Sequence, residues 1–185
     1  FCSNGQPSGT PICSWTGIIC SSGNPISLSL SNISLKGSIP TELGLITKLT
    51  YLNLSNNCLS KTIPTQLSLL TRLSILTMNS NCLTGTVPIQ ITILTRLIQL
   101  SLNYNCLSKS IPFQIILFTK LTQLNIANNC FTSTIPSRIG LLTPLKVLDM
   151  SHNSLIGTLP VTIGNLVNIQ TFNMNNNILS GKIPT

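Results

Sequence analysis

Residues 148–166 read Leu-Asp-Met-Ser-His-Asn-Ser-Leu-Ile-Gly-Thr-Leu-Pro-Val-Thr-Ile-Gly-Asn-Leu, and the same spelling returns along the chain at a fixed interval. Leu28, Leu52, Leu76, Leu100, Leu124, Leu148 and Phe172 stand 24 residues apart, so internal repetition decides the architecture before any local propensity does. Two residues further on come Leu30, Leu54, Met78, Leu102, Ile126, Met150 and Met174. This apolar-x-apolar alternation suits a short strand with one buried face, and each unit is expected to contribute one strand.

Five residues after the first apolar position stands an asparagine, at Asn57, Asn81, Asn105, Asn129, Asn153 and Asn177, with Ile33 in its place in the first unit. A carboxamide both donates and accepts, so a stacked asparagine column can satisfy the backbone groups exposed where each coil leaves its strand. It reads as an internal ladder and not as a binding site. Next come Leu35, Leu59, Leu83, Leu107, Phe131, Leu155 and Leu179, then Pro40, Pro64, Pro88, Pro112, Pro136, Pro160 and Pro184, each preceded by Ile, Val or Leu. Proline lacks an amide donor and fixes its torsion, so it belongs opposite the sheet, where it can open a short helical turn.

With these columns in place, the unit at 148–166 resembles the plant-type extracellular leucine-rich repeat, L-x-L-x-x-N-x-L-x-G-x-I-P-x-x-L-G-x-L, and the resemblance covers residues 26–185. It implies an α/β solenoid, a right-handed superhelix with a parallel sheet on its concave face and short 3-10 or helical turns on its convex face. Cys13-Ser-Trp-Thr-Gly-Ile-Ile-Cys20 resembles the end of that family's N-terminal cap. The same likeness implies a disulfide between Cys13 and Cys20, with Cys2 free or paired outside the chain. The organisation expected is a cysteine-containing cap at 1–24 followed by seven 24-residue repeats at 25–185, the last incomplete and without a C-terminal cap. A chain that starts at Phe1 and stops inside a repeat reads as a processed or trimmed product, cut from something longer or covered by another molecule at Thr185. Lys61, Lys109 and Ser133 depart from the family pattern at its usual glycine, and Ile12 stands where the family often has a cysteine.

Composition excludes much. The chain is 42% hydrophobic and 6% charged, and its net charge of +8 reflects missing acids, since only Glu42 and Asp149 are acidic. Its basic residues are scattered, without the aromatic or Arg-rich clustering of a nucleic-acid groove, so no nucleic-acid partner is expected. The most apolar stretch, 111–118, is interrupted by Pro112 and Gln114 and falls well short of the roughly 20 residues of a membrane span. Seven cysteines favour an oxidising compartment, and a secreted, extracellular or cell-surface location follows. Two carboxylates and one histidine leave almost no material for acid–base catalysis, and Asp149 and His152, three residues apart on an alternating strand, point in different directions. No enzyme activity, cofactor or metal site is expected.

Because stacked coils lie about 4.8 Å apart, a residue recurring at 24 becomes a stripe. The outward side of the strands gives a polar, nearly chargeless concave face, in which Tyr51, Asn53, Asn79, Gln99, Asn103, Tyr104, Gln123, Asn125, Asp149 and His152 are candidate ligand contacts. Cys58, Cys82, Cys106 and Cys130 form a second stripe, read either as staples pairing Cys58 with Cys82 and Cys106 with Cys130 or as a column of thiols. Lys48, Arg72, Arg96 and Lys120 make a basic column, read as a solvated rim or, less readily, as a contact for acidic polysaccharide or an anionic surface. Leu45, Leu69, Ile93, Leu117 and Leu141, with Ile89, Phe113 and Ile116 nearby, form an apolar band on the helical side; facing outward it would favour packing against another copy, and otherwise it tucks under the neighbouring coils. Asn32-Ile-Ser34 and Asn53-Leu-Ser55 are N-glycosylation sequons, with weaker cysteine variants starting at Asn56 and Asn128. The functional expectation is a recognition or adhesion scaffold binding a protein, peptide or glycan on the concave face. The alternatives are a self-assembling filament, coat or sheath and, as a minor one, binding of ice.

Overall fold

The computed structural model describes residues 12–184. A 3-10 turn at Ile12–Ser14 leads into the strand Ile18–Ser21, which pairs antiparallel with Asn24–Ser29 through a bulge at Ile19 and Cys20. Cys13 and Cys20 form a disulfide with a Cα–Cα separation of 5.7 Å. Gly17 lies at φ 87° with the Ser29 carbonyl against it, so the turn into this hairpin has no room for a side chain.

Numbering coils from the one that contains Leu28, each sends one strand to the concave sheet. Tyr51–Asn53, Ile75–Thr77, Gln99–Ser101, Gln123–Asn125, Val147–Asp149 and Thr171–Asn173 continue from Asn24–Ser29, all parallel, and with the cap strand complete an eight-stranded sheet. They pair in steps of 24, with Leu52 opposite Leu76 and Leu124 opposite Leu148. Behind them Leu52, Leu76, Leu124 and Leu148 are wholly buried, as are Met78, Leu102 and Met150 from the next column. Burial of such a side chain contributes about 1.5–3 kcal/mol, and its repetition coil by coil is what makes the stack cohere.

On the convex side, prolines open the turns as their fixed torsion predicts. Pro40, Pro64, Pro88, Pro112 and Pro160 precede the 3-10 turns Thr41–Leu45, Thr65–Leu69, Ile89–Ile93, Phe113–Leu117 and Val161–Asn165. Each such turn closes on a carbonyl that proline still offers, as where the Leu67 N–H donates to Pro64 O at 3.2 Å. In coil 5 the turn starts later, at Ile139–Leu141. Gly44 and Gly140 sit where a Cβ would collide with the backbone carbonyls of Gln66 and Thr162 in the following coil, so these glycines let adjacent turns approach closely.

A second, lateral sheet was not foreseen from the sequence. Lys36–Ser38, Cys58–Lys61, Cys82–Gly85, Cys106–Lys109 and Cys130–Phe131 pair in parallel, and Ile156–Thr158 pairs with Ile178–Ser180. Here the step is 22, with Ser60 opposite Cys82 and Thr84 opposite Cys106. Gly37, Gly85 and Gly157 take positive φ in these strands and Gly181 just after the last one, and Lys61 and Lys109 take it too, at 67° and 65°. Ser133, the remaining departure from glycine, does not, and beside it the ladder thins to the single bridge between Thr134 and Ile156.

The asparagine ladder joins the two sheets. Asn105 Nδ2 donates to the carbonyls of Met78 in the preceding coil and of Leu102 in its own, each at 3.0 Å, while its Oδ1 accepts from Leu83 N–H at 3.0 Å. Asn57, Asn81, Asn129, Asn153 and Asn177 repeat the pattern. Each carboxamide stands where the step changes from 24 to 22, satisfying the backbone groups that neither ladder can pair.

Candidate functional site

Strand alternation sets the concave surface out as a grid. One rank runs Ser27, Tyr51, Ile75, Gln99, Gln123, Val147, Thr171, and the next runs Ser29, Asn53, Thr77, Ser101, Asn125, Asp149, Asn173. Asn79 and Asn103 continue the pattern just beyond the strands. Ile75 and Val147, which the polar reading passed over, take the first position of their strands on this face. Their signal was in the repeat itself, as the apolar members of a column otherwise held by Tyr, Gln, Ser and Thr.

Much of the second rank is engaged with its own backbone. Asn53 Oδ1 accepts from Ser55 N–H at 3.0 Å and Ser55 Oγ at 2.6 Å, and Asp149 Oδ1 does the same with Ser151 at 3.0 and 2.6 Å. Asn125 and Asn173 accept from the N–H groups of Ala127 and Asn175. These turns bury Ser55 and Ser151. Asn53 Nδ2 also donates to Tyr51 Oη at 3.2 Å, holding that ring along its strand.

Three features break the pattern. Thr77 Oγ1 is buried without a hydrogen-bond partner, in a residue 9% exposed. Tyr104, Ser80 and His152 share a column with Asn32, Asn56, Asn128 and Asn176 in which every residue has positive φ. The left-handed region is routine for Asn but costs a bulky residue about 1–2 kcal/mol, so Tyr104, at φ 55° and exposed, stands out. His152 meets Asn176 Nδ2 of the next coil at 3.0–3.2 Å through its ring nitrogens. Gln99 Nε2 donates to Ser101 Oγ at 3.3 Å and Asn79 Nδ2 to Ser80 Oγ at 3.3 Å. Gln123 and Tyr104 are exposed, and Asn103 is half-buried.

The cysteine staples are corrected by the lateral register. Cys58, Cys82, Cys106 and Cys130 are free and exposed. With a step of 22, Cys82 lies opposite Ser60 and diagonal to Cys58. Diagonal strand neighbours are about 7–8 Å apart, beyond the ~6.8 Å limit of a disulfide. Cys2 lies outside the described residues. Among the described residues no group of three or more His, Cys, Asp or Glu side chains could hold a metal ion, and no helix is long and apolar enough to cross a membrane.

Lys48, Arg72, Arg96 and Lys120 are exposed on the rim. The convex band faces outward: Leu45, Leu69, Ile93, Leu117 and Leu141 are 46–70% exposed, whereas Ile116 is half-buried against the core. Asn32 and Ser34 are both exposed, in contrast to Asn53 and Ser55 with their engaged side chains.

A solenoid with a parallel concave sheet, proline-opened 3-10 turns and an asparagine ladder defines a leucine-rich-repeat protein. The Leucine Rich Repeat family model matches residues 48–70, 120–142 and 144–166. The BIR2 ectodomain from Arabidopsis thaliana is 30% identical with a TM-score of 0.73, the alignment covering 80% of this chain and 81% of that one. The plant peptide hormone receptor RGFR1, solved in complex with RGF2, is 38% identical with a TM-score of 0.80 over 82% of this chain, which spans 24% of the receptor's length. A plant ice-binding protein is 24% identical with a TM-score of 0.60, covering 97% of this chain and 82% of that one, a likeness of fold alone. No curated protein matches significantly. The chain belongs to the plant-type extracellular leucine-rich-repeat family.

Proposed function

We propose that this protein is a non-enzymatic extracellular recognition module that binds an uncharged peptide or protein segment on its concave face, centred on coils 2 to 4. The observation that carries the reading is Tyr104, a bulky ring 58% exposed and held at φ 55° in a column otherwise largely of asparagine. The left-handed region costs such a residue about 1–2 kcal/mol, and the fold does not recover it by burying the ring. On the same face stand Tyr51, Ile75, Asn79 and Gln99, an aromatic and amide surface with no charge. The likeness to a receptor solved with a peptide hormone supports the ligand class. The Cys13–Cys20 disulfide supports an oxidising, extracellular setting. N-glycosylation is proposed at Asn32 ahead of Asn53, where the sequon hydroxyl is buried and the amide already engaged.

The test is a peptide display library selected on the immobilised protein. Selected peptides are expected to bind about tenfold more weakly to Tyr104→Ala and Gln99→Ala, and unchanged to Phe113→Ala on the convex side. Selected peptides indifferent to the concave variants would remove the reading.

The outward convex band favours a second reading, lateral self-association into an assembly, because monomers seldom expose a continuous apolar stripe. Light scattering separates the two, with Leu69→Lys and Ile93→Lys together expected to dissolve any assembly. Binding of ice on the concave face has the least support. The carboxamides of Asn53 and Asn125 and the carboxylate of Asp149 are already turned to backbone N–H groups, and Tyr51 and Ile75 interrupt the hydroxyl pattern.

A further inference from the structure

On the convex shoulder, between the lateral sheet and the 3-10 turns, an open groove of about 710 Å3 runs across coils 2 to 5. A hollow of about 360 Å3 shares Thr62, Ile63 and Thr65 with it and extends it towards coil 1. Its lining includes a row of hydroxyls, Thr62, Thr86, Ser110 and Thr134, one from each coil, together with Ile89 and Phe113. All four hydroxyl residues are exposed, and among the described residues none of the four hydroxyls has a hydrogen-bond partner. The methyl groups of Thr62 and Thr134 occupy the space that a side chain on Gly85 or Gly157 would need. Phe113 is 63% exposed, an aromatic ring presented to solvent at the groove's edge. No charged side chain lines the larger hollow, although the protein as a whole carries +8.

We propose that this groove binds a neutral polysaccharide chain lying along the solenoid axis. Such a chain is extended and uncharged, with hydroxyls along its edges and apolar C–H faces on its rings. The hydroxyl row supplies donors and acceptors to the edges, and Phe113 supplies the platform on which a sugar ring stacks. Coils repeating about every 4.8 Å renew the hydroxyl contacts for successive sugars, with Phe113 as the single aromatic platform. An extended peptide fits less well, because the strands Cys82–Gly85 and Cys106–Lys109 are already paired on both sides and offer no free edge. A flat crystal of water fits less well because Phe113, Lys61 and Lys109 stand exposed along this flank. The site is separate from the concave face, and its fate is independent of the peptide reading.

The experiment is retention of the intact protein on microcrystalline cellulose, chitin and an insoluble β-1,3-glucan, at physiological and at molar salt. Retention on at least one of these is expected, indifferent to salt. It should weaken about tenfold in Phe113→Ala, be abolished in Ser110→Trp, which plugs the groove, and persist in Tyr104→Ala. Phe113 and Ser110 are exposed, and circular dichroism melting checks that both variants fold. The proposal is overturned by failure on all three polysaccharides, by loss of retention at molar salt, or by retention that Tyr104→Ala removes and Phe113→Ala spares. Ice-growth inhibition without retention would likewise overturn it, in favour of water ordering.

Discussion

The concave strands pair at a step of 24, Leu52 against Leu76, while the lateral strands of the same coils pair at a step of 22, Ser60 against Cys82. On the concave side Asn53, Asn125 and Asn173 fold back onto backbone N–H groups, whereas on the lateral side Thr62, Thr86 and Ser110 are left open to solvent. One repeat thus builds a rank of amides turned back on its own strands and a row of hydroxyls left to solvent. Residues sharing a repeat position are direct neighbours only where the step equals the repeat. On the lateral sheet they lie on a diagonal, and that is why the cysteine column does not staple the coils.

The largest test of this comparison breaks the joint between the sheets. Asn105→Ala removes the donor to Met78 O and Leu102 O and the acceptor for Leu83 N–H, and is expected to cost about 2–4 kcal/mol in urea denaturation. A loss below about 1 kcal/mol would mean that water replaces the ladder and the two sheets are less coupled than the geometry implies.

Gly140→Ala drives a methyl group into the Thr162 carbonyl on the convex side, with an expected loss of about 1–3 kcal/mol. Gly164→Ala, with nothing near its Cβ position, is the matched control in the same thermal melt. Thr77→Val removes a buried hydroxyl that has no partner and should raise stability by about 1 kcal/mol in the same melt.

Smaller effects probe the lateral side. Lys61→Gly and Lys109→Gly relieve a left-handed backbone and should each stabilise by about 0.5 kcal/mol, the side-chain strain slightly exceeding glycine's entropy. Cys58→Ser with Cys82→Ser should shift stability by less than about 0.5 kcal/mol, and Cys58, Cys82, Cys106 and Cys130 should all react with a thiol reagent in the folded protein. Unreactive thiols at those positions would show that the coils are stapled after all.

The concave architecture was legible because Leu52, Leu54 and Asn57 recur with the very step in which the strands pair. The proline turns and the ladder were legible for the same reason, each resting on one side chain whose chemistry permits a single role. The lateral sheet was not, since Cys58–Lys61 and its counterparts are short, polar on their outer side and offset by a step that no column of residue numbers displays. The orphaned Thr77 hydroxyl was equally hidden. Its burial comes from neighbouring strands, and in the sequence it is one more threonine among serines and asparagines.

The two steps also bear on how such a chain can change its length. Every pairing links a coil only to its immediate neighbours, so duplication or loss of one complete unit carries both registers across the junction unharmed. An insertion of one residue inside a strand would turn an inward leucine outward and, at the same stroke, displace the carboxamide that ties that coil to the one before it. Gene-level growth and shrinkage in whole units is therefore the inexpensive route, and the lateral groove would lengthen or shorten in the same increments.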